Sequence, residues 1–139
     1  MASDVVRCGQ CGTRNRLPVA SSGRPTCARC HAPLAWLVDA GDADFDAAVE
    51  TSTLALVDLW APWCGPCRMV APIVETLSVD YAGRLKVVKV NVDESPLVAQ
   101  RYQATSIPML LFLRRGELID TVVGAQPEHV LRARIEQLV

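Results

Sequence analysis

The chain has 139 residues, of which 50% are hydrophobic, and a formal net charge of −1 at pH 7. This length suits one ordinary domain with a small appendage, and the apolar content is sufficient for one buried core. The near-neutral charge argues against a general role in coating nucleic acids or anionic membrane surfaces.

The charge is distributed unevenly along the chain. Residues 1–35 hold five arginines and one aspartate, whereas the remainder holds nine basic and fourteen acidic residues. This asymmetry predicts two units, a basic segment over 1–35 and a larger domain over 36–139. The segment is rich in turn-forming residues and has few apolar side chains, so we expect no stable core in it unaided.

The first residues, MASDVVRCGQ, contain no apolar stretch of signal-peptide length. No apolar run in the chain approaches the roughly 20 residues that a membrane span requires. We therefore expect a cytoplasmic monomer without membrane contacts. In that compartment thiols stay reduced, and paired cysteines bind metal or do redox chemistry more often than they form structural bridges.

Two Cys-x-x-Cys pairs in the basic segment have the spacing of a four-thiolate metal site. They are Cys8/Cys11 and Cys27/Cys30, separated by a loop that can fold back to bring four sulfurs to one point. Zinc suits a tetrahedron of thiolates, and its binding can fold a segment that lacks a core. The spacing therefore predicts one structural Zn²⁺ per chain. Two structural disulfides, unligated thiols or iron in the same cage are the alternatives.

The turns that follow the two pairs differ. Gly12 fits a tight turn after the first pair, but His31 stands at the equivalent place after the second and leaves that geometry open. A solvent-facing position for His31 is favoured over a ligand role. The arginines invite a nucleic-acid role, as in many zinc ribbons. However, zinc with four thiolates offsets part of their charge and no run of aromatic residues offers base stacking, so nucleic-acid binding is not expected.

From residue 36 the pattern alternates between strands and helices. The predicted strands cover 35–38, 54–60, 85–92, 109–113 and 118–123. The predicted helices are one capped by Asp42 or Asp44 and ending near Glu50, one from Cys67 to before Gly83, one over 96–102 and one over 127–138. This order predicts an α/β fold, with a central mixed sheet and helices on both faces, preceded by a small zinc-ribbon-like segment.

A third pair, Cys64-Gly65-Pro66-Cys67, lies where a buried strand ends and an amphipathic helix begins. The unpaired N–H groups and the dipole of a first helical turn favour a thiolate there and lower the thiol pKa. We predict Cys64, at the exposed helix end, as the nucleophile. Cys67 lies one turn inside on the same face and is predicted as the resolving thiol of a redox-active Cys64–Cys67 disulfide. Pro66 has the fixed φ that helix starts tolerate.

Asp58 lies in the strand before this pair, on the same face as Leu54 and Leu56. We expect it to be buried, with its pKa raised by desolvation. A carboxyl group six residues before the dithiol can exchange a proton with Cys67, directly or through water. Lys89 on the neighbouring strand is its natural charge partner. A strand aspartate satisfied by backbone groups or exposed at an edge is the alternative.

The stretch WAPWCGPCR at 60–68 resembles the active-site motif of the thioredoxins. The resemblance extends over 36–139 in element order and in further motifs: VDLW at 57–60, Lys89 within VVKVNVD, Ser106-Ile107-Pro108 and Val123-Gly124-Ala125. With the four-cysteine segment, the whole chain resembles the bacterial thioredoxin-2 type.

The resemblance implies a cis Ile107–Pro108 peptide bond beside the dithiol, with the Ile107 backbone pairing with an extended client segment. Met109 stands where the family commonly has threonine, which alters client packing and leaves the chemistry unchanged. Gly124 lets a partner backbone approach closely or is a plain turn glycine.

The resemblance also implies a client-binding surface around the cysteines that includes Trp63, Gly65 and Pro66. Trp60 packs beneath Trp63 or belongs to the core. His129, early in the last helix, is expected on the solvated surface.

The predicted function is that of a protein-disulfide reductase, which reduces client proteins and is itself reduced by an NADPH-dependent thioredoxin reductase. We expect no bound nucleotide, because the chain lacks a glycine-rich phosphate loop. Two alternatives remain at this point. One is a disulfide oxidase or isomerase, although such enzymes usually carry a histidine between the cysteines. The other is a zinc-ribbon interaction module on a passive thioredoxin platform.

Overall fold

A computed structural model describes residues 5–19 and 24–139; residues 1–4 and 20–23, part of the predicted turn-rich segment, lie outside this description. The strands are β1 (Val5–Arg7), β2 (Arg14–Arg16), β3 (Trp36–Asp39), β4 (Leu54–Trp60), β5 (Leu85–Asn91), β6 (Met109–Arg114) and β7 (Glu117–Val123). The helices are α1 (Phe45–Val49), α2 (Gly65–Asp80), α3 (Pro96–Arg101) and α4 (Glu128–Leu138). The predicted element order from residue 36 is confirmed.

The main sheet is mixed, with strand order β3-β5-β4-β6-β7. Strands β3, β4 and β5 are parallel, and β6 and β7 complete the sheet as an antiparallel hairpin. Apolar residues of α1 and α3 pack on one face of the sheet, whereas those of α2 and α4 pack on the other. The predicted α/β class with helices on both faces is therefore correct. No helix among the described residues combines the length and apolar character needed to cross a membrane.

The sequence predicts Asp42 or Asp44 as the cap of α1. Asp44 does occupy the position before α1, but its carboxylate accepts a hydrogen bond from the Gly41 N–H at 2.7 Å. Asp42 instead accepts hydrogen bonds from the N–H groups of Leu97 and Val98, at 3.1 and 2.9 Å, in the first turn of α3. Of the two predicted candidates, Asp44 is thus the N-cap residue of α1, although its side chain makes no hydrogen bond into that helix. Asp42 bonds the start of α3 because the fold brings that sequence-distant helix to its carboxylate.

The N-terminal segment contains a two-stranded antiparallel hairpin, β1–β2, that the sequence did not predict. Three-residue strands such as Arg14–Arg16 are too short and polar to show an apolar alternation. The segment packs on the larger domain, because Leu17 and Leu34 belong to the same buried cluster as Trp36 and Val88. The core is thus continuous across residue 36.

Candidate active site and candidate metal centre

Helix α2 positions the central cysteine pair. Cys64 is the N-cap residue, with extended backbone geometry, and its Sγ accepts a hydrogen bond from the Cys67 N–H at 3.2 Å. The two cysteines form a disulfide bond, with their Cα atoms 5.3 Å apart. Pro66 lies in the first helical turn, as predicted. A helix start therefore presents an N–H donor to the sulfur that would carry negative charge in the reduced state.

Both cysteines of this pair are buried, each with 3% of its surface exposed. The expectation that Cys64 lies exposed is wrong for the oxidised protein, because Trp60, Ala61 and Ile107 pack around the disulfide. The Cys64 Sγ lies 3.7 Å from the carbonyl oxygen of Ile107. This carbonyl therefore borders the sulfur that we expect to attack a client disulfide.

A cis peptide bond joins Ile107 to Pro108, as the sequence resemblance implied. The N–H of Gly124 donates to the Pro108 carbonyl oxygen at 2.8 Å, which joins the end of β7 to the start of β6. Gly124 has φ of +92°, a conformation that residues with a side chain rarely adopt. Its glycine is thus required by the local backbone, whatever approaches it from outside.

Two tryptophans lie next to the disulfide in different environments. Trp63 is 67% exposed, and its indole N–H donates to both carboxylate oxygens of Asp93 at 3.0 and 3.1 Å. Trp60 is half-buried, and its indole nitrogen has no hydrogen-bond partner among the described residues. The exposed indole is available for contact with a client. Asp93, which orients it, was not predicted, because the pairing spans thirty residues of sequence.

Asp58 is 1% exposed and lies directly across from Lys89 in the β4–β5 register. Burial raises the pKa of this carboxyl group to about 6, and the positive charge of Lys89 opposes the rise. The Asp58 Oδ1 atom has no hydrogen-bond partner within the described parts of the chain. The predicted burial is therefore confirmed, and the raised pKa that follows from it lets the carboxyl group hold or release a proton near neutral pH.

A cavity of about 190 Å³ connects this carboxyl group with the disulfide. Its lining includes Asp58, Cys67 and Lys89, together with Trp60 and Arg68. Because a water molecule takes about 30 Å³ in the liquid, the cavity has room for several. Water molecules in a cavity of this size can relay a proton between the carboxyl group and the Cys67 sulfur. Arg68 was not predicted here, since a basic residue early in α2 gives no sequence sign that it borders a cavity.

The four cysteines of the N-terminal segment converge. Their Sγ atoms all lie within 4.8 Å of one another, and two of the separations are 3.5 Å, between Cys8 and Cys30 and between Cys11 and Cys27. A tetrahedral zinc ion with zinc–sulfur distances of about 2.3 Å sets its ligands roughly 3.8 Å apart. None of the four forms a disulfide. The donor set and its spacing therefore fit a tetrahedral metal ion.

The two turns that carry these cysteines have the same geometry. The N–H of Gly12 donates to the Cys8 carbonyl oxygen, and that of His31 donates to the Cys27 carbonyl oxygen, both at 2.9 Å. Their φ angles are +76° and +65°. His31 therefore adopts the left-handed conformation that glycine adopts in the first turn, with its side chain exposed as expected.

Asn15 joins the two turns, a role that the sequence did not reveal. It is 8% exposed, and its Nδ2 donates to the Thr13 carbonyl oxygen at 3.0 Å and lies 3.5 Å from the Cys27 Sγ. Its Oδ1 accepts a hydrogen bond from the Ala28 N–H at 2.9 Å. A buried amide thus connects the strand that leaves the first turn with the second turn and one of its sulfurs. Outer contacts of this kind orient metal ligands.

The remaining predicted residues are Lys89, His129 and Gly65, and the structure gives the environment of each. Lys89 Nζ lies 5.4 Å from the centroid of the Trp60 ring, within range of a cation–π interaction. His129 is exposed on α4, as expected. The position where a Cβ would stand on Gly65 meets nothing within 4 Å, so the surface next to the disulfide is open there.

Known proteins resemble the larger domain of this chain in sequence. The sequence profile of the family described as Thioredoxin matches residues 37–137. The chain is 50% identical over 97 residues to Thioredoxin 1 of Synechococcus elongatus, covering 69% of this chain and 91% of that protein. It is 48% identical over 95 residues to a thioredoxin of Staphylococcus aureus, covering 68% and 90%. It is also 48% identical over 99 residues to the chloroplastic Thioredoxin M-type of Pisum sativum, covering 70% and 58%.

The profile match covers the larger domain, from β3 to α4, including the disulfide, the buried carboxyl group and the cis proline. The chain therefore belongs to the thioredoxin family and is a thiol-disulfide oxidoreductase.

Proposed function

We propose that this protein is a cytoplasmic protein-disulfide reductase that cycles through Cys64 and Cys67 and holds one Zn²⁺ in its N-terminal segment. The observation that carries the proposal is the cavity shared by Cys67 and Asp58 at the start of α2. The cavity supports the proposal because it is lined both by a carboxyl group whose pKa burial raises to about 6 and by the cysteine that would have to lose a proton.

The reaction has two exchange steps. The Cys64 thiolate attacks one sulfur of a client disulfide, a Cys64–client bond forms, and the other client sulfur leaves as a thiolate. Cys67 then attacks the Cys64 Sγ, so that the Cys64–Cys67 bond forms and the second client sulfur leaves. Two electrons pass from the protein to the client, which is released as a dithiol.

Asp58 serves the second step. Cys67 must lose its proton before it attacks, and Asp58 accepts that proton directly or through water in the cavity. A carboxyl group with a pKa of about 6 is a stronger base than an ordinary aspartate, so it accepts the proton more readily and is still partly protonated near neutral pH. Lys89 keeps the pKa of Asp58 from rising further, so that the carboxylate form is populated at pH 7.

The client segment binds beside the disulfide. In this proposal the Ile107 backbone, held by the cis bond to Pro108, pairs with an extended client chain. Trp63 supplies the exposed apolar contact, Gly65 leaves the adjoining surface open, and Gly124 lets the client backbone approach closely. Pro66 keeps an ionisable side chain out of the motif, which favours a reductase over an oxidase or isomerase.

The oxidised protein is returned to the dithiol by an NADPH-dependent thioredoxin reductase, the partner that the family implies, and it binds no nucleotide itself. When bound, zinc supplies a structural crosslink, held by Cys8, Cys11, Cys27 and Cys30. A reducing cytoplasm suits both roles, since it keeps these thiols available for metal and returns the catalytic pair to its dithiol form.

The test compares two substitutions of one cysteine pair. Wild-type protein with reductase and NADPH should reduce insulin, and both Cys64→Ser and Cys67→Ser should abolish turnover to the background rate. Only Cys67→Ser should accumulate a mixed disulfide with the client, seen as a mass adduct, because it retains the nucleophile and lacks the resolving thiol. Unchanged turnover in Cys64→Ser, or an adduct on that variant instead, would contradict the assignment.

A further inference from the structure

Lys86, in β5, is fully buried, with 0% of its surface exposed. It is one of only two lysines in the chain, the other being Lys89 in the same strand. The four ion pairs formed by the described residues do not include Lys86. Burial lowers the pKa of this amine to about 8. A buried ammonium without a carboxylate partner depends on other acceptors for its stability.

Two backbone carbonyl groups supply those acceptors, and they come from different parts of the molecule. Lys86 Nζ donates to the Ala48 carbonyl oxygen in α1 at 2.6 Å and to the Val19 carbonyl oxygen in the N-terminal segment at 2.5 Å. The ammonium also lies 4.2 Å from the centroid of the Trp36 ring. The amine therefore bridges the catalytic domain and the segment that carries the four cysteines.

Further contacts hold the N-terminal segment against the larger domain next to Lys86. The indole N–H of Trp36 donates to the Pro18 carbonyl oxygen at 2.9 Å, next to the carbonyl that Lys86 contacts. Leu17 and Cys27 are buried in the same cluster as Trp36. The carbonyl groups that accept from Trp36 and Lys86 belong to residues 17–19, which follow β2 directly. This stretch is therefore the continuation of the strand that leaves the first cysteine turn. Its position depends on that turn being folded.

We propose that Lys86 is a positioning residue that clasps the metal segment to the catalytic domain, so that metal binding and the burial of Lys86 are coupled. The inference rests on the proposed metal site. Without metal the segment has too few apolar residues to stay folded, and it withdraws the Val19 carbonyl from the amine. The ammonium then gains more by hydration than by remaining buried. Because such coupling is reciprocal, loss of the Lys86 contact must also weaken metal binding.

The first test needs no substitution. Wild-type full-length protein, kept reduced, is loaded with one equivalent of zinc or stripped with a chelator, and both samples receive a brief pulse of an amine-acetylating reagent. Fragment-ion mass spectrometry then gives the acetylated fraction of Lys86 and of Lys89. We expect at least a tenfold increase at Lys86 on zinc removal and less than a twofold change at Lys89, which serves as an internal control. Equal labelling of Lys86 with and without zinc overturns the coupling.

The second test uses a matched pair of variants. Lys86→Met keeps the aliphatic stem and removes the donor to Val19, whereas Lys89→Met removes the other lysine of β5, which faces the Asp58 cavity. One hydrogen bond from a charged donor contributes about 1.5 kcal/mol, so chelator competition should show zinc binding weakened about tenfold in Lys86→Met. Lys89→Met should retain wild-type zinc affinity.

The outcomes separate the two proposals. Equal zinc affinity in Lys86→Met and wild type would overturn the clasp alone and leave the metal site standing. A reduced wild-type protein that binds no zinc at all would overturn the metal site and the clasp with it. Neither result would bear on disulfide reduction, which is measured separately.

Discussion

A single carboxyl group sets much of the pH behaviour expected of this protein. Asp58 lies in a strand whose other members are almost all apolar and buried, so its burial could be predicted from the sequence. The direction of its pKa shift could be predicted for the same reason, because desolvation disfavours the charged form. The cavity that connects it to Cys67 could not be predicted, since its walls come from two strands and a helix.

Asp58→Asn should stabilise the oxidised protein at pH 7. The folded-state pKa of about 6 lies above the ordinary 3.8, so the aspartate contributes most to stability below pH 4 and loses that contribution as the pH rises to 6. The difference corresponds to about 3 kcal/mol at pH 7. Guanidinium unfolding should therefore show the variant more stable at pH 7 and near wild type at pH 4.

The same variant should turn over insulin more slowly than wild type near neutral pH, because an amide cannot accept the proton of Cys67. Higher stability with unchanged turnover would support the raised pKa of Asp58 but contradict its role in proton transfer. Lower stability at pH 7 would contradict the raised pKa.

Elements that depend on local pattern could be predicted, and those that depend on distant contacts could not. The helix over α2 follows from apolar residues spaced one turn apart and from a proline in its first turn. The hairpin β1–β2 escaped prediction because its stability comes from packing and from the converging cysteines rather than from its own short strands. Asp42 shows the same limit, since the helix start it caps lies 55 residues away.

Asn15 provides a test of how β2 is tied to the second cysteine turn. Asn15→Asp keeps the size of the side chain but replaces the Nδ2 donor beside the Cys27 sulfur with a second oxygen, which repels a thiolate. Chelator competition should show zinc affinity reduced about tenfold or more, in line with other outer contacts of metal sites. With Co²⁺ in place of zinc, the thiolate-to-metal charge-transfer band should also shift.

The matched control is Asn91→Asp, which makes the same chemical change at an amide that bonds Glu94 at the C-terminal end of β5 and contacts none of the four cysteines. It should leave both zinc affinity and the Co²⁺ spectrum unchanged. Equal zinc affinity in Asn15→Asp and wild type would show that the amide merely fills space.

At the scale of the whole molecule, we expect the three Cys-x-x-Cys pairs to serve two purposes, because their surroundings differ. Two pairs lie on matching turns with four sulfurs converging, in a segment with little core of its own. The third lies at a helix start above a buried carboxyl group. The spacing within each pair is identical, so the distinction had to come from the flanking sequence, and the packing of the segment through Lys86 could come only from the structure.

The most direct measurement follows all six cysteines through one turnover. Reduced, zinc-loaded protein is mixed with one equivalent of a disulfide client and quenched with acid, and each cysteine is assigned by differential alkylation and mass spectrometry while released zinc is titrated in parallel. We predict that Cys64 and Cys67 become oxidised together, while the other four remain thiols and zinc stays bound at one ion per chain. Oxidation of Cys8, Cys11, Cys27 or Cys30 in step with the client, or release of zinc during turnover, would contradict the division of roles.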